Sequence, residues 1–155
     1  MLEKGLSAAG CKVGLIGTTG TKIMGRDVAT ELTTPEAPML QRLFAQMRDE
    51  GVTHVVMEVS SHALMLGRVT GADFDVAAFT NLSQDHLDFH PTMEDYFQAK
   101  ASFFDPASEQ HAARSVICVD DEWGQRMAEL ADDPLTVATT KAVSYTHLRA
   151  HETEA

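Results

Sequence analysis

Apolar positions along this chain recur in two rhythms. Short unbroken runs at Lys12–Thr18, His54–Met57, Asp75–Phe79, Ser115–Val119 and Leu135–Ala138 read as strands. Runs of this length and density suit a parallel sheet buried on both faces. Between them the spacing lengthens to the helical period. Leu40, Leu43, Phe44 and Met47 form one apolar stripe, ended by Gly51, and Met93, Tyr96, Phe97 and Phe104 form another. Thr34-Pro35-Glu36 looks like the start of the first of these helices, with Thr capping, Pro in the first turn and Glu at the positive dipole end. Thr92 with Asp95 is a capping-box-like start for the second. Further helices are expected over Leu2–Ala9, stopped by Gly10, and over Asp121–Leu130. Gly17 to Arg26 is a loop or hairpin. Strands alternating with helices predict an α/β fold: a three-layer α/β/α, doubly wound, mostly parallel sheet without internal repeats.

Two of the apolar runs break into polar, ionisable residues at their carboxyl ends. Met57-Glu58-Val59-Ser60-Ser61-His62-Ala63-Leu64 is one, and Phe79-Thr80-Asn81-Leu82-Ser83-Gln84-Asp85-His86-Leu87-Asp88-Phe89-His90 is the other. Ligands of open α/β sheets sit outside the carboxyl ends of the strands. The two ends therefore imply one shared site.

Composition narrows the classes of partner. The chain has 155 residues, 44% hydrophobic and 23% charged, enough for one domain with a real core. Its net charge of −11 argues against nucleic acid as the main partner. It suits a protein that binds anions locally, through backbone amides and metal ions. Cys11 and Cys118 stand far apart without metal spacing, which suggests a reducing compartment. No apolar run is long enough for a membrane span, and the N-terminus lacks the regions of a signal peptide, so a cytoplasmic location is expected. A domain seldom begins inside a helix, so an upstream segment is expected before Leu2. Residues 142–155 show little periodicity and resemble a translated sequencing-adaptor segment. They are expected to be a non-native tail behind a domain spanning residues 1–141.

Among the candidate chemical groups, Lys100 is the sharpest. It completes the i, i+3, i+4, i+7 series of the helix from Met93, and so falls on the apolar stripe. It either snorkels its ammonium to water or sits buried with a depressed pKa, reactive or modified. An N-carboxylated lysine would present a carboxylate and hence a metal ligand. Asp85, His86, Asp88 and His90 bring hard oxygen and imidazole donors that read either as a solvated loop or as an Mg²⁺ site. Glu58 at the neighbouring strand end favours the metal, because phosphoryl-transfer enzymes hold Mg²⁺ with a carboxylate there. Gly17-Thr18-Thr19-Gly20-Thr21-Lys22-Ile23 looks superficially like a phosphate loop, but it lacks the Gly-Lys-[Ser/Thr] ending and reads as a Gly-rich turn. Thr33 and Thr34 cap a helix or bind a substrate anion there. Ser60, Ser61 and His62 lack a nucleophile elbow, so hydrogen bonding to substrate fits better than attack. Arg68 is a candidate partner for a substrate carboxylate or an ordinary surface arginine.

Taken together, Thr33-Thr34-Pro35-Glu36, Met57 to Leu64, Phe79 to His90 and Ala99-Lys100-Ala101 closely resemble the Mur ligases over roughly Leu2 to Ala138. The resemblance implies ATP-dependent amide formation in peptidoglycan synthesis. In it, the γ-carboxylate of D-glutamate in UDP-MurNAc-L-Ala-D-Glu forms an acyl phosphate, which the amine of meso-diaminopimelate or L-lysine then attacks. It implies ATP and Mg²⁺, with Lys100 as a carboxylated lysine and Glu58 and His86 as further metal ligands. Thr33, Thr34, Ser60 and Arg68 would contact the UDP-MurNAc-dipeptide, and Asn81 the nucleotide. The chain departs from the family in several places. The family's Thr-Gly-Thr-Asn-Gly-Lys-Thr-Thr phosphate loop, expected about one helix before Lys12, is not in it, nor are the N-terminal UDP-gripping and C-terminal amino-acid-binding domains. Cys118 replaces a common Asn before Asp120-Asp121, and Leu66 a polar contact. Two other readings compete. One is a metal-dependent hydrolase built on Glu58, Asp85, His86, Asp88 and His90, for which no His pair at zinc spacing speaks. The other is a non-catalytic nucleotide- or substrate-binding module.

Overall fold

A computed structural model describes residues 1–83 and 89–139. Its elements run α1 (Leu2–Ala8), β1 (Val13–Ile16), β2 (Thr21–Ile23), β3 (Arg26–Val28), α2 (Ala37–Asp49), β4 (His54–Met57), α3 (Ser61–Met65), β5 (Ala77–Phe79), α4 (Met93–Ala101), β6 (Ser115–Cys118), α5 (Glu122–Leu130) and β7 (Leu135–Val137). The α/β alternation is the one the apolar rhythm predicts. Both helical stripes are buried: Leu40, Leu43 and Met47 on α2, Tyr96 and Phe97 on α4. They join Ile16, Ile23, Phe79, Ile117 and Met127 in one core.

The strands form two sheets, ordered β3-β2-β1-β4 and β5-β6-β7. β1 and β4 are parallel, with Val13 opposite His54 and Ile16 opposite Met57. β5, β6 and β7 are all parallel to one another. The Gly17–Arg26 stretch is an antiparallel hairpin, β2–β3, added to the side of β1. Lys22, the lysine of the loop that resembles a phosphate loop, pairs with Asp27 across that hairpin at 3.3 Å.

The sheet departs from expectation between β4 and β5. These strands do not pair, and neither has a strand along its other edge among the described residues. Val55 on β4 is 41% exposed and Val76, just before β5, is 54% exposed. Of the runs that read as buried on both faces, β4 has no buried residue and β5 buries Ala77 and Phe79 but exposes Ala78, because burial depends on neighbours that a strand's own residues do not specify.

The start of α2 also differs. The helix begins at Ala37, with Glu36 as its N-cap residue and no side-chain cap. Pro38, rather than Pro35, occupies the first turn. Thr34 is drawn into the interior instead, at 1% exposure, and its hydroxyl serves another strand end. The polar stretch after Glu58 contains a short helix, α3, that apolar periodicity does not reveal. Its signal is Ser60, whose Oγ accepts from the Ala63 amide at 3.1 Å.

α4 and α5 are clasped at the surface. Arg126 donates both terminal nitrogens to the Glu94 carboxylate, each at 2.9 Å, and lies over the rings of Phe97 and Trp123. The guanidinium holds the Glu94 carboxyl down at about 2, with Gln98 assisting. A carboxylate with a depressed folded pKa stabilises fully above its unfolded value and loses that contribution as pH falls towards the folded value. Acid titration between pH 4.5 and 2, followed by circular dichroism, should therefore destabilise the wild type more steeply than Glu94→Gln. The difference should be small, because the pair is solvated.

Candidate active site

The site grows from the parallel register of β1 and β4. Their carboxyl ends lie side by side, and the Glu58 amide donates to the Ile16 carbonyl at 2.9 Å. Gly17-Thr18 therefore emerges next to Glu58. The Glu58 side chain folds across Gly17, and its Oε2 accepts from the Thr18 amide at 3.1 Å and from the Thr18 hydroxyl.

Thr34 braces the same strand end from the other side. Its hydroxyl donates to the Glu58 carbonyl at 2.8 Å and accepts from the Ser60 amide at 3.2 Å. One side chain thus satisfies the two backbone groups flanking Val59, where β4 gives way to α3. A buried hydroxyl with both functions met is a strong local constraint. Arg68 closes the group. One terminal nitrogen donates to the Thr34 carbonyl at 3.3 Å, and the other pairs with Glu36 at 2.8 Å. Its Nε is buried without a hydrogen-bond partner among the described residues. Thr34, Glu58, Ser60 and Arg68 are therefore one contiguous cluster, and Thr33 lies half-buried beside it.

Lys100 is half-buried on α4, as its place on the stripe predicts. Burial lowers its pKa. Its Nζ lies 5.3 Å from the centre of the Tyr96 ring, a contact that favours the ammonium. Desolvation outweighs this, and among the described residues no carboxylate pairs with Lys100. Tyr96 stacks on His90 at 4.9 Å and 17°. His90 Nε2 lies 2.8 Å from Ser61 Oγ, and both residues are buried. A chain of contacts thus runs from Lys100 through Tyr96 and His90 to the start of α3.

This geometry sorts the sequence candidates. His90 is 3% exposed and engaged with Ser61, so it is a poor ligand for a solvent-fed metal, and the hydrolase set loses it. Asn81 is exposed two residues past β5. His86, with Asp85 and Asp88, lies outside the described residues, as does the segment 142–155. Among the described residues no group of three His, Cys, Asp or Glu side chains gathers as a metal site, and no helix is long and apolar enough to cross a membrane. Sequence reasoning missed Thr18 and the Ser61–His90 pair. Both depend on which strand ends and loops become neighbours.

Parallel strands ending in a braced carboxylate, with a half-buried lysine on α4, define an open α/β domain, the class whose ligands sit outside the carboxyl ends of the strands. The chain belongs to the Mur ligase family: the sequence model of the Mur ligase middle domain matches residues 1–154. It is 73% identical over 139 residues to the UDP-N-acetylmuramoyl-L-alanyl-D-glutamate–2,6-diaminopimelate ligase of Corynebacterium glutamicum, covering 90% of this chain and 27% of that protein. Identity to the ligase of the same name from Streptomyces coelicolor is 47% over 154 residues, covering 99% of this chain and 30% of that protein. A solved structure of a ligase of that name superposes with a TM-score of 0.78 at 33% identity, covering 91% of this chain and 29% of the other. The chain thus spans less than a third of the length of these relatives.

Proposed function

We propose that this chain is the central portion of an ATP-dependent ligase that joins a diamino acid, meso-diaminopimelate, to UDP-MurNAc-L-Ala-D-Glu in the bacterial cytoplasm. The observation that carries the reading is Lys100: a half-buried amine of lowered pKa, without a described acid partner, linked through Tyr96 and His90 to Ser61 at the start of α3. The relatives' names supply the substrate pair and favour diaminopimelate over lysine.

The donor chemistry of Glu58 and a carboxylated Lys100 would suit a divalent cation. Glu58 offers a hard carboxylate oxygen at a parallel strand end, and a carboxylated Lys100 would offer a second. With His86, these groups would hold Mg²⁺, which neutralises charge at the transferring phosphoryl group. Carboxylation of Lys100 needs the neutral amine: the ammonium first gives a proton to solvent, the nitrogen then bonds to the carbon of CO₂ as one C–O π bond opens, and a second proton leaves, so that over both steps a cation becomes an anion. Burial lowers the pKa of Lys100 and so raises the share of that amine.

The cluster around Thr34 would face the UDP-MurNAc-dipeptide through Thr33, Ser60 and Arg68. Thr34 is 1% exposed, and its hydroxyl donates to the Glu58 carbonyl and accepts from the Ser60 amide, so it would hold that strand end in place rather than touch substrate as the resemblance implies. Arg68, held by Glu36 and Thr34, would pair with a substrate carboxylate, and Asn81 would contact the nucleotide. The phosphate loop and the domains that grip UDP and the amino acid would come from outside these residues.

Two measurements test this. A complete ligase containing residues 1–139 should release ADP only when given the UDP-dipeptide and a diamino acid, with meso-diaminopimelate preferred to L-lysine. ADP release that ignores the dipeptide would sink the assignment. The chain by itself should give no heat with ATP and Mg²⁺ in calorimetry, because Gly17–Lys22 is a hairpin rather than a phosphate cradle. A low-micromolar dissociation constant would overturn that part.

A further inference from the structure

We infer that Gly17 and Thr18 form a clamp that fixes the Glu58 carboxylate with one oxygen restrained and the other presented to a divalent cation, making Thr18 a positioning residue. The inference rests on the proposed role of Glu58 as a metal ligand. The Gly-Thr-Thr-Gly stretch reads in sequence as a mere turn before a hairpin. In the structure its first two residues meet the candidate metal carboxylate directly.

The geometry is specific. Oε2 receives two hydrogen bonds from Thr18, one from the backbone amide and one from the hydroxyl. Oε1 accepts none among the described residues and lies over the bare Cα of Gly17. A Cβ built on Gly17 would stand 2.9 Å from Oε1, 3.0 Å from Cδ and 3.2 Å from Cγ of Glu58. Apart from these Glu58 atoms, no heavy atom approaches closer than 3.2 Å. A methyl at position 17 would therefore push the carboxylate off Thr18 rather than move the backbone.

The chemistry follows. A glutamate has three rotatable bonds and loses much rotamer freedom when it binds a metal. Restraining one oxygen beforehand removes part of that loss and leaves the other oxygen as a monodentate ligand. Mg²⁺ demands near-ideal octahedral geometry and keeps several waters, so a single well-aimed oxygen suits it better than a swinging bidentate carboxylate. Outer partners of metal ligands typically cost ten- to hundred-fold in metal affinity or activity when removed.

The test uses the complete ligase with Thr18→Val, Thr18→Ser, Gly17→Ala and, as reference, Glu58→Gln. Mn²⁺ binding is titrated by electron paramagnetic resonance in the presence of a non-hydrolysable ATP analogue, alongside the Mg²⁺ dependence of turnover. Thr18→Val and Gly17→Ala should weaken Mn²⁺ and raise the half-saturating Mg²⁺ at least about ten-fold. Thr18→Ser keeps the hydroxyl and should stay within about two-fold of wild type. Thr18 is exposed, so the melting temperatures of the Thr18 variants should not move with these effects. If Glu58→Gln abolishes tight Mn²⁺ binding while Thr18→Val does not weaken it, the clamp is overturned and Glu58 keeps its role. If Glu58→Gln leaves Mn²⁺ binding intact, Glu58 is no ligand, and both the clamp and that part of the proposed function fall. Equal losses in Thr18→Ser and Thr18→Val would also overturn the clamp.

Discussion

Replacing Lys100 by alanine in the complete ligase should lower kcat by about 10²- to 10³-fold while leaving nucleotide affinity nearly unchanged. The magnitude is that of removing one preorganised group aimed at charge developing in a transition state. Lys100→Arg should fail equally, because a guanidinium keeps its charge and cannot add CO₂. Turnover of Lys100→Ala should recover in part with a short carboxylate such as formate, which can take the place of the missing carbamate. ¹³C spectroscopy of the wild type equilibrated with labelled bicarbonate should show a carbamate resonance that Lys100→Ala lacks. Stability should move the other way. A lysine of lowered folded pKa binds fewer protons folded than unfolded, so its burial is a cost at neutral pH, relieved only as pH rises towards 10.5. Lys100→Met removes that cost and should stabilise the fold by on the order of 1 kcal/mol. A variant that is more stable and inactive marks a residue kept for chemistry. An arginine variant of near-normal turnover would leave Lys100 a snorkelling side chain on a helix.

The second large effect is structural. Gly124→Ala should lower the melting temperature of the chain by roughly 10 °C or prevent folding, a cost of about 3 kcal/mol or more. Gly124 lies in the first turn of α5, where its amide donates to the capping Asp121 carboxylate at 2.7 Å. That turn crosses the end of β6 so closely that a Cβ would stand 1.9 Å from the Cys118 carbonyl oxygen. The obstacle is backbone, which cannot swing aside as a side chain does. Elsewhere in a helix, glycine to alanine is stabilising by about 1 kcal/mol. Thermal melts of Gly124→Ala beside Gly5→Ala should show opposite signs, since a Cβ at Gly5 in α1 meets nothing within 4 Å. A silent Gly124→Ala would mean that α5 sits further from β6 than described.

Much of this protein is decided by local rules that its residues carry openly. The stripes of α2 and α4, the caps Thr92 and Asp121, and the parallel strands β1, β4, β5, β6 and β7 all follow from periodicity and capping chemistry, which act within a few residues. The strand-end position of Glu58 and the half-burial of Lys100 follow from the same rules. Tertiary structure decided the rest. Thr34 carries every mark of a helix cap, yet its hydroxyl is worth more inside, where it satisfies two backbone groups at the end of β4. Val55 and Val76 carry every mark of two-sided burial, yet both lie open, since a strand's own residues do not specify what packs over them. Thr18 shows nothing in sequence to join it to a residue forty positions away, and only the parallel register of β1 with β4 brings the two together. Hydrogen bonds and burial between distant segments depend on which backbones become neighbours, and that choice is made by the whole chain at once.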